Sequence, residues 1–421
     1  MLSRKEFIAQ SGLALAGGAL VEARPAAAAE LDPADWRSVR AQFALDPGLH
    51  HFAGFVLAPH PRPVREAIER HRRALDRNPS GYLHARQGEL EANVRAAAGR
   101  YLGVATDGIA LTDSTTMGLG LLYGGLRLRP GEEIVTTEHD FYATHESLRL
   151  RAKRTGARVR RVRLYERLDR VSTDEIVSSI RRALTAKTRV VAVTWVHSST
   201  GLKLPIRAIA EALPERVLLC VDGVHGLGVE NETVASLGCD FLVSGCHKWL
   251  HGPRGTGVVW ARPGAWAETT ATIPSFDDGA SYAGWLQGGS PGPTSALTMT
   301  PGGYHSFEHR WALAQAFDFH RSIGKARIEA RVHALARRLK AGLADMKHVT
   351  LRTPRSDRLS AGIVCFEVEG SSASEVVERL AGRRVVATVT PYATRYVRLG
   401  PGLYTVDADV DATLAAVRAL A

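Results

Sequence analysis

From Gly108 onward the chain alternates short β-branched apolar runs with longer stretches of helical periodicity. The runs 134–137, 159–164, 190–196, 217–221, 241–243 and 258–260 read as strands, and the charged, apolar-spaced stretches between them read as helices. Parallel neighbours need a crossover, usually helical, so this alternation predicts an α/β fold built on a largely parallel sheet. Before it, 31–63 mixes Pro and Gly as an irregular arm, while 63–77 and 89–102 carry apolar residues at helical spacing. The stretch 269–303 is rich in Gly, Pro, Ser and Thr and too long for a structureless connection, so it predicts a functional loop over a site. Helical patterning returns over 307–343, and 361–368, 385–390, 396–399 and 409–420 predict a smaller α+β unit. The expected organisation is a segment 1–29 set apart from the fold, an N-terminal arm and helix over 30–80, a large domain over 81–305 and a small C-terminal domain over 306–421.

At 421 residues the chain is long enough for one large or two moderate domains with ample core. Its net charge of +11 changes little, because only eight of the 54 basic residues are lysine and the arginines are scattered over helical stretches. No single basic block suggests a nucleic-acid partner. Four cysteines are too few for a disulfide-built fold and lack zinc-ligand spacing; Cys220 and Cys365 sit in short apolar runs as expected core residues. At the N-terminus, Arg4 and Lys5 precede the apolar stretch 8–21, followed by Ala26-Ala-Ala-Ala29. That order predicts an export signal and a periplasmic destination rather than a stable membrane span. The segment from Ser3 to Ile8 resembles a twin-arginine signal in which Lys5 replaces the second arginine.

The chemistry concentrates around Lys248, in Cys246-His-Lys-Trp249, which follows Asp222 by 26 positions. Asp222 closes the apolar run 217–221, and a strand that ends in a carboxylate delivers it to the ligand-binding edge of an α/β sheet. A Schiff-base lysine with a carboxylate to hold a ring nitrogen protonated is the pair that pyridoxal 5'-phosphate (PLP) requires. Gly288-Gly-Ser-Pro-Gly292 fits a hydrolase elbow in letters only, since Pro291 and Pro293 exclude the helix that must follow the serine.

Together, Asp222-Gly-Val-His225, the Cys246–Trp249 segment and Gly252-Pro-Arg-Gly-Thr-Gly257 resemble the class V aminotransferases, fold-type I PLP enzymes that include cysteine desulfurases and isopenicillin N epimerase-like proteins. The resemblance implies a large mainly parallel-sheet domain plus a smaller C-terminal domain, PLP on Lys248 and Asp222 at the ring nitrogen. It also implies a phosphate cradle at Thr115 and Thr116 with His247 and Ser244, and Ser198 with His225 near the ring hydroxyl. His139 would stack on the ring, with Phe141 as competitor; Thr300 would reach the phosphate of a neighbouring subunit in a homodimer. Arg398, with Arg395 as fallback, would grip the carboxylate of an amino acid substrate, as a planar guanidinium suits. Retention of Lys248, Asp222 and Arg398 counts against a secreted binding protein without turnover. The resemblance leaves transamination, β-elimination and epimerisation open, but residues 381–397 lack the nucleophilic cysteine of a desulfurase.

Overall fold

The computed structural model describes residues 30–289 and 292–421. The proposed export signal and Ser290 lie outside the described residues.

The large sheet comprises β1 (Ile109–Thr112), β2 (Glu133–Thr137), β3 (Arg158–Val162), β4 (Thr188–Thr194), β5 (Leu218–Asp222), β6 (Phe241–Gly245) and β7 (Gly257–Ala261). Their order across the sheet is β1-β7-β6-β5-β4-β2-β3. Pairs β3–β2, β2–β4, β4–β5 and β5–β6 are parallel, whereas β7 runs antiparallel to both β6 and β1. All strands except β7 therefore present their C-terminal ends on one edge. The central strands are apolar without alternation because both faces are covered. Val191 and Val193 of β4 join one buried cluster, while Val190 and Ala192 join another on the opposite face. The edge strand β3 instead exposes Arg158, Arg160 and Arg161, charges that discourage pairing with another chain.

The smaller sheet is antiparallel, in the order β10 (Thr388–Val389), β11 (Val397–Leu399), β9 (Val364–Val368), β8 (Val349–Leu351). Its core recruits Phe52 from far upstream. The reason is a short parallel pairing of His50–His51 with Val385–Val386. Asp409 pins the same arm through Arg40 at 2.7 Å and His50 at 2.8 Å.

Several expected elements shift. The second N-terminal helix starts at Pro79 rather than residue 89, because Asn78 caps Gly81 N–H and Pro79 tolerates the first helical turn. The run 307–343 is two helices, Phe307–Ile323 and Lys325–Ala344, broken at Gly324 with φ of 94°. The first of them packs Leu313 and Phe317 into the large-sheet core, whereas the second carries Leu335, Leu339 and Leu343 into the small-sheet core. Strand β1 is only four residues long, too short to stand out in the pattern. The stretch 269–303 contains the helices Gly279–Leu286 and Ala296–Met299.

The turn that follows β5 is fixed by Gly228, whose φ is 93°. A Cβ there would lie 2.5 Å from Trp249 C and Leu250 N, directly beside Lys248. Gly228→Ala should lower unfolding stability by at least about 2 kcal/mol, combining backbone strain with the clash. Gly131→Ala, at a φ of 83° but with open space around the new carbon, should cost less. Comparison of the two variants by denaturant unfolding checks this; equal losses would remove the close approach as the cause.

Candidate active site

A cavity of about 330 Å³ opens at the C-terminal edge of the parallel strands. Its walls follow from the topology: Asp222 ends β5, Thr194 ends β4, Phe141 follows β2, Ser198 follows β4, and His247 and Lys248 follow β6. Ser114, Thr115 and Thr116 enter at the amino end of the helix Thr115–Gly125. Phe55 and Val56 come from the N-terminal arm, and Pro391 and Arg398 from the small-sheet region.

Lys248 is half-buried at the cavity wall, and desolvation of its amine lowers its pKa from the usual 10.5 to about 8; nearby Arg398 pushes in the same direction and Asp222 opposes. Burial raises the Asp222 carboxyl to about 6 despite the Val224 N–H it accepts at 3.0 Å. His225 stands between Lys248 and the core. Its Nδ1 accepts the Trp249 Nε1–H at 3.2 Å, which leaves the proton of the neutral imidazole on Nε2, 3.3 Å from Lys248 Nζ. Burial keeps that ring far below its usual pKa, so it stays neutral and presents a donor toward a neutral amine.

The anion side of the cavity is built on close backbone approach. Ser114 caps the helix by accepting Met117 N–H, and Gly245 N–H donates to Thr115 Oγ1 at 2.8 Å. A Cβ on Gly245 would lie 2.8 Å from His247 Cε1 and 2.9 Å from Thr115 Oγ1, so a serine at this position would displace the cradle. The helix amino end, with its free N–H groups and partial positive charge, suits an anion.

Arg398 is buried and has no carboxylate partner among the described residues. Its Nε donates to Thr388 Oγ1, Nη1 to Ser198 O and Nη2 to Val389 O, while the guanidinium lies 5.1 Å over the Phe55 ring. Two of its five N–H donors remain for a ligand.

The cavity thus brings together Lys248, Asp222, Thr115, Thr116, Ser198, His225, His247 and Arg398. Three expected residues lie outside its lining. His139 stacks on Tyr165 with ring centroids 4.5 Å apart and an interplanar angle of 9°, and Phe141 faces the cavity instead. Asp140 sets this choice: its carboxylate accepts Thr136 Oγ1–H and Thr137 N–H from β2 and Thr194 N–H from β4, fixing the turn between the two aromatic positions. Ser244 is buried with its hydroxyl turned to Gly245 O. Thr300 is fully buried, its Oγ1 accepting Leu111 N–H and donating to Ala296 O, so it has no reach beyond its own chain. Arg395 is exposed and does not line the cavity. None of the described residues of 269–303 lines it either. Sequence reasoning missed Phe55, Asp140 and Tyr392, whose hydroxyl meets Ser198 Oγ at 2.9 Å; Tyr392 precedes Arg398 by six residues, the only hint available.

The aminotransferase class-V profile matches residues 58–411. The chain belongs to the aminotransferase class-V family. It is 28% identical over 400 residues to an isopenicillin N epimerase of Streptomyces clavuligerus, covering 92% of this chain and 98% of that one. It is 27% identical over 365 residues to a probable cysteine desulfurase of Xylella fastidiosa, covering 82% and 83%. Among solved structures, a C-DES variant with glycine covalently linked to its PLP cofactor superposes with a TM-score of 0.81 at 22% identity, covering 90% of this chain and 98% of that one. The Escherichia coli cysteine desulfurase CsdA gives 0.76 at 21% identity, covering 92% and 98%. The fold is that of fold-type I PLP enzymes, and the family is PLP-dependent. The cavity fits that cofactor: Lys248 can take its aldehyde, Asp222 its ring nitrogen, and the helix amino end with Thr115, Thr116 and His247 its phosphate.

Capture of PLP by cofactor-free protein requires the unprotonated Lys248 amine. The capture rate should rise with pH around a midpoint near 8, well below that of an ordinary lysine. Arg398→Leu removes a cation that disfavours the ammonium form, so the lysine pKa rises and the midpoint should move to higher pH. Stopped-flow absorbance across a pH series measures both; a midpoint that stays put in the variant would break the electrostatic link.

Proposed function

We propose that the protein is an aminotransferase-type class V enzyme that holds PLP through Lys248 and acts at the Cα of an α-amino acid bound by Arg398. One observation carries this reading: a buried guanidinium with two spare donors shares a cavity with a half-buried lysine of lowered pKa. When bound, PLP supplies an electron sink for negative charge developed at Cα.

The chain's own residues supply the rest. Arg398 receives the substrate carboxylate, and this repays the desolvation of its charge. Ser198 O, Val389 O and Thr388 hold the guanidinium plane, so the carboxylate is oriented as well as bound. Lys248, about half unprotonated near pH 8, would take the Cα proton as general base. Asp222, at the end of a fully buried strand, would hold the ring nitrogen of the cofactor protonated. The apolar side chains of Phe55, Val56 and Phe141 exclude water from the reacting carbon.

Removal of the Cα proton is shared by transamination, epimerisation and β-elimination. Epimerisation is the second reading, favoured by the relative named for it, which covers 92% of this chain. Sulfur transfer through a thiol of the chain has no support, because all four cysteines are buried and none lines the cavity. Burial holds Cys365, which pairs in register with Arg398, protonated with a pKa near 12. Product analysis for keto acid, inverted amino acid or eliminated fragment distinguishes the reactions.

We further propose a homodimer. Seven large apolar side chains between Ile273 and Tyr304 are exposed, with Tyr304 at 87%, Phe276 at 69% and Trp285 at 67%, and a second copy is the occupant that covers them in this proposal. Export through residues 1–29 is proposed on the Arg4-Lys5, apolar-run and alanine-cluster order alone.

Borohydride treatment of the PLP-loaded protein should fix the cofactor to the peptide containing Lys248, and Lys248→Ala should lose the label and at least about 10³-fold in turnover. Labelling of another lysine would overturn the assignment. For export, N-terminal sequencing of the cell-envelope fraction should find the chain beginning near residue 30; an intact Met1 confined to the cytosol would reject it.

A further inference from the structure

The charges around the cavity are few and each is committed. Lys248 and Asp222 face the cofactor in the proposed reading, the neutral rings of His225 and His247 flank them, and Arg398 is the only remaining cation in the lining. It offers two donors, enough for one carboxylate. The surfaces left for the rest of a substrate are Phe55, Val56, Phe141 and Pro391, with the Tyr392 hydroxyl turned to Ser198. A second carboxylate there would lose its water without a cationic partner.

The exposed surface proposed to meet a second copy is itself poor in cations. Positions 263–309, which contain the exposed apolar group from Ile273 to Tyr304, hold no Lys or Arg at all, in a chain with 54 of them. The same stretch holds Glu268, Asp277, Asp278 and Glu308 beside His305 and His309, so it brings no Lys or Arg toward a neighbouring copy. Arg395, the nearest alternative cation in the sequence, is exposed and outside the lining.

We infer that the site takes monocarboxylic α-amino acids with an uncharged, largely apolar substituent and rejects dicarboxylic ones. This rests on the proposed PLP reading with Arg398 as carboxylate anchor. It sets the protein apart from transaminases that draw their amino group from a glutamate-type donor, since such a donor brings a second carboxylate into the same space.

The test uses the PLP-loaded protein and reads the visible absorption of the bound cofactor, which changes when an amino acid occupies the site whether or not turnover follows. Leucine, methionine and phenylalanine, in both enantiomers, should shift the spectrum at concentrations at least tenfold lower than glutamate or aspartate. Val56→Arg, at a half-buried position in the wall, should narrow or reverse that preference by giving the second carboxylate a partner. Equal or better response to the dicarboxylates in the unmodified protein overturns the inference. So does a response to neither class while borohydride still labels Lys248; that outcome leaves the cofactor assignment standing and removes only the substrate class. Loss of Lys248 labelling is the separate result that removes the reading beneath it.

Discussion

The chemistry proposed for this molecule depends on gathering three ionisable groups at one sheet edge, the buried Asp222 and Arg398 and the half-buried Lys248. Isolated, each would be expensive to bury. Asp222 and Lys248 offset each other in part, and the remaining partners are hydrogen bonds and ring faces: Val224 N–H for Asp222, the His225 ring for Lys248, and two carbonyls, a hydroxyl and Phe55 for Arg398. The arrangement is therefore incomplete in a directed way. A cofactor with a protonated ring nitrogen and an electrophilic carbon completes the first two groups, and a carboxylate completes the third.

The scaffold can hold that tension because the supporting strands are covered on both faces. Asp140 ties the ends of β2 and β4 together, and Trp249, stacked on Phe55 at 5.9 Å, fixes the His225 tautomer from the core side. Desolvation and the neighbouring charges of Asp222 and Arg398 set the Lys248 pKa, so the base is tuned by groups that line the same cavity.

Strand-end chemistry was legible in the sequence for a physical reason. Asp222 and Lys248 belong to uninterrupted apolar runs and their immediate sequels, where local pattern and tertiary position coincide. Thr115 and Thr116 were legible because a helix amino end is a local feature. His139 and Phe141 could not be told apart locally because the two aromatic positions share one turn; Phe141 lines the cavity while His139 stacks on Tyr165, and the turn is fixed by Asp140 reaching across to β4, a contact with no local signal. Thr300 misled for a similar reason: its hydroxyl is consumed by Leu111 N–H, almost two hundred residues upstream. Phe55 was invisible because an arm with Pro and Gly carries no periodicity, and only the pairing of His50–His51 with Val385–Val386 brings it to the site.

That pairing makes the setting of Arg398 a product of the whole chain. Phe55 lies on the arm, Ser198 follows β4 of the large sheet, and Thr388, Val389 and Arg398 belong to the small sheet. No subset of these segments can position the guanidinium alone, because each supplies one face or one acceptor of a five-donor plane. Asp409 holds the arm to the C-terminal helix through Arg40 and His50, so an ion-paired carboxylate far from the cavity fixes the floor beneath Arg398. Burial pushes the Asp409 carboxyl up, but the Val406 N–H, the His50 ring and Arg40 together hold it below its ordinary pKa of 3.8. A depressed folded-state pKa contributes stability that is present above the ordinary value and lost as pH falls through the lowered one. The Asp409 contribution to holding the arm is therefore lost only as pH falls below the ordinary carboxyl range, away from the range in which Lys248 titrates.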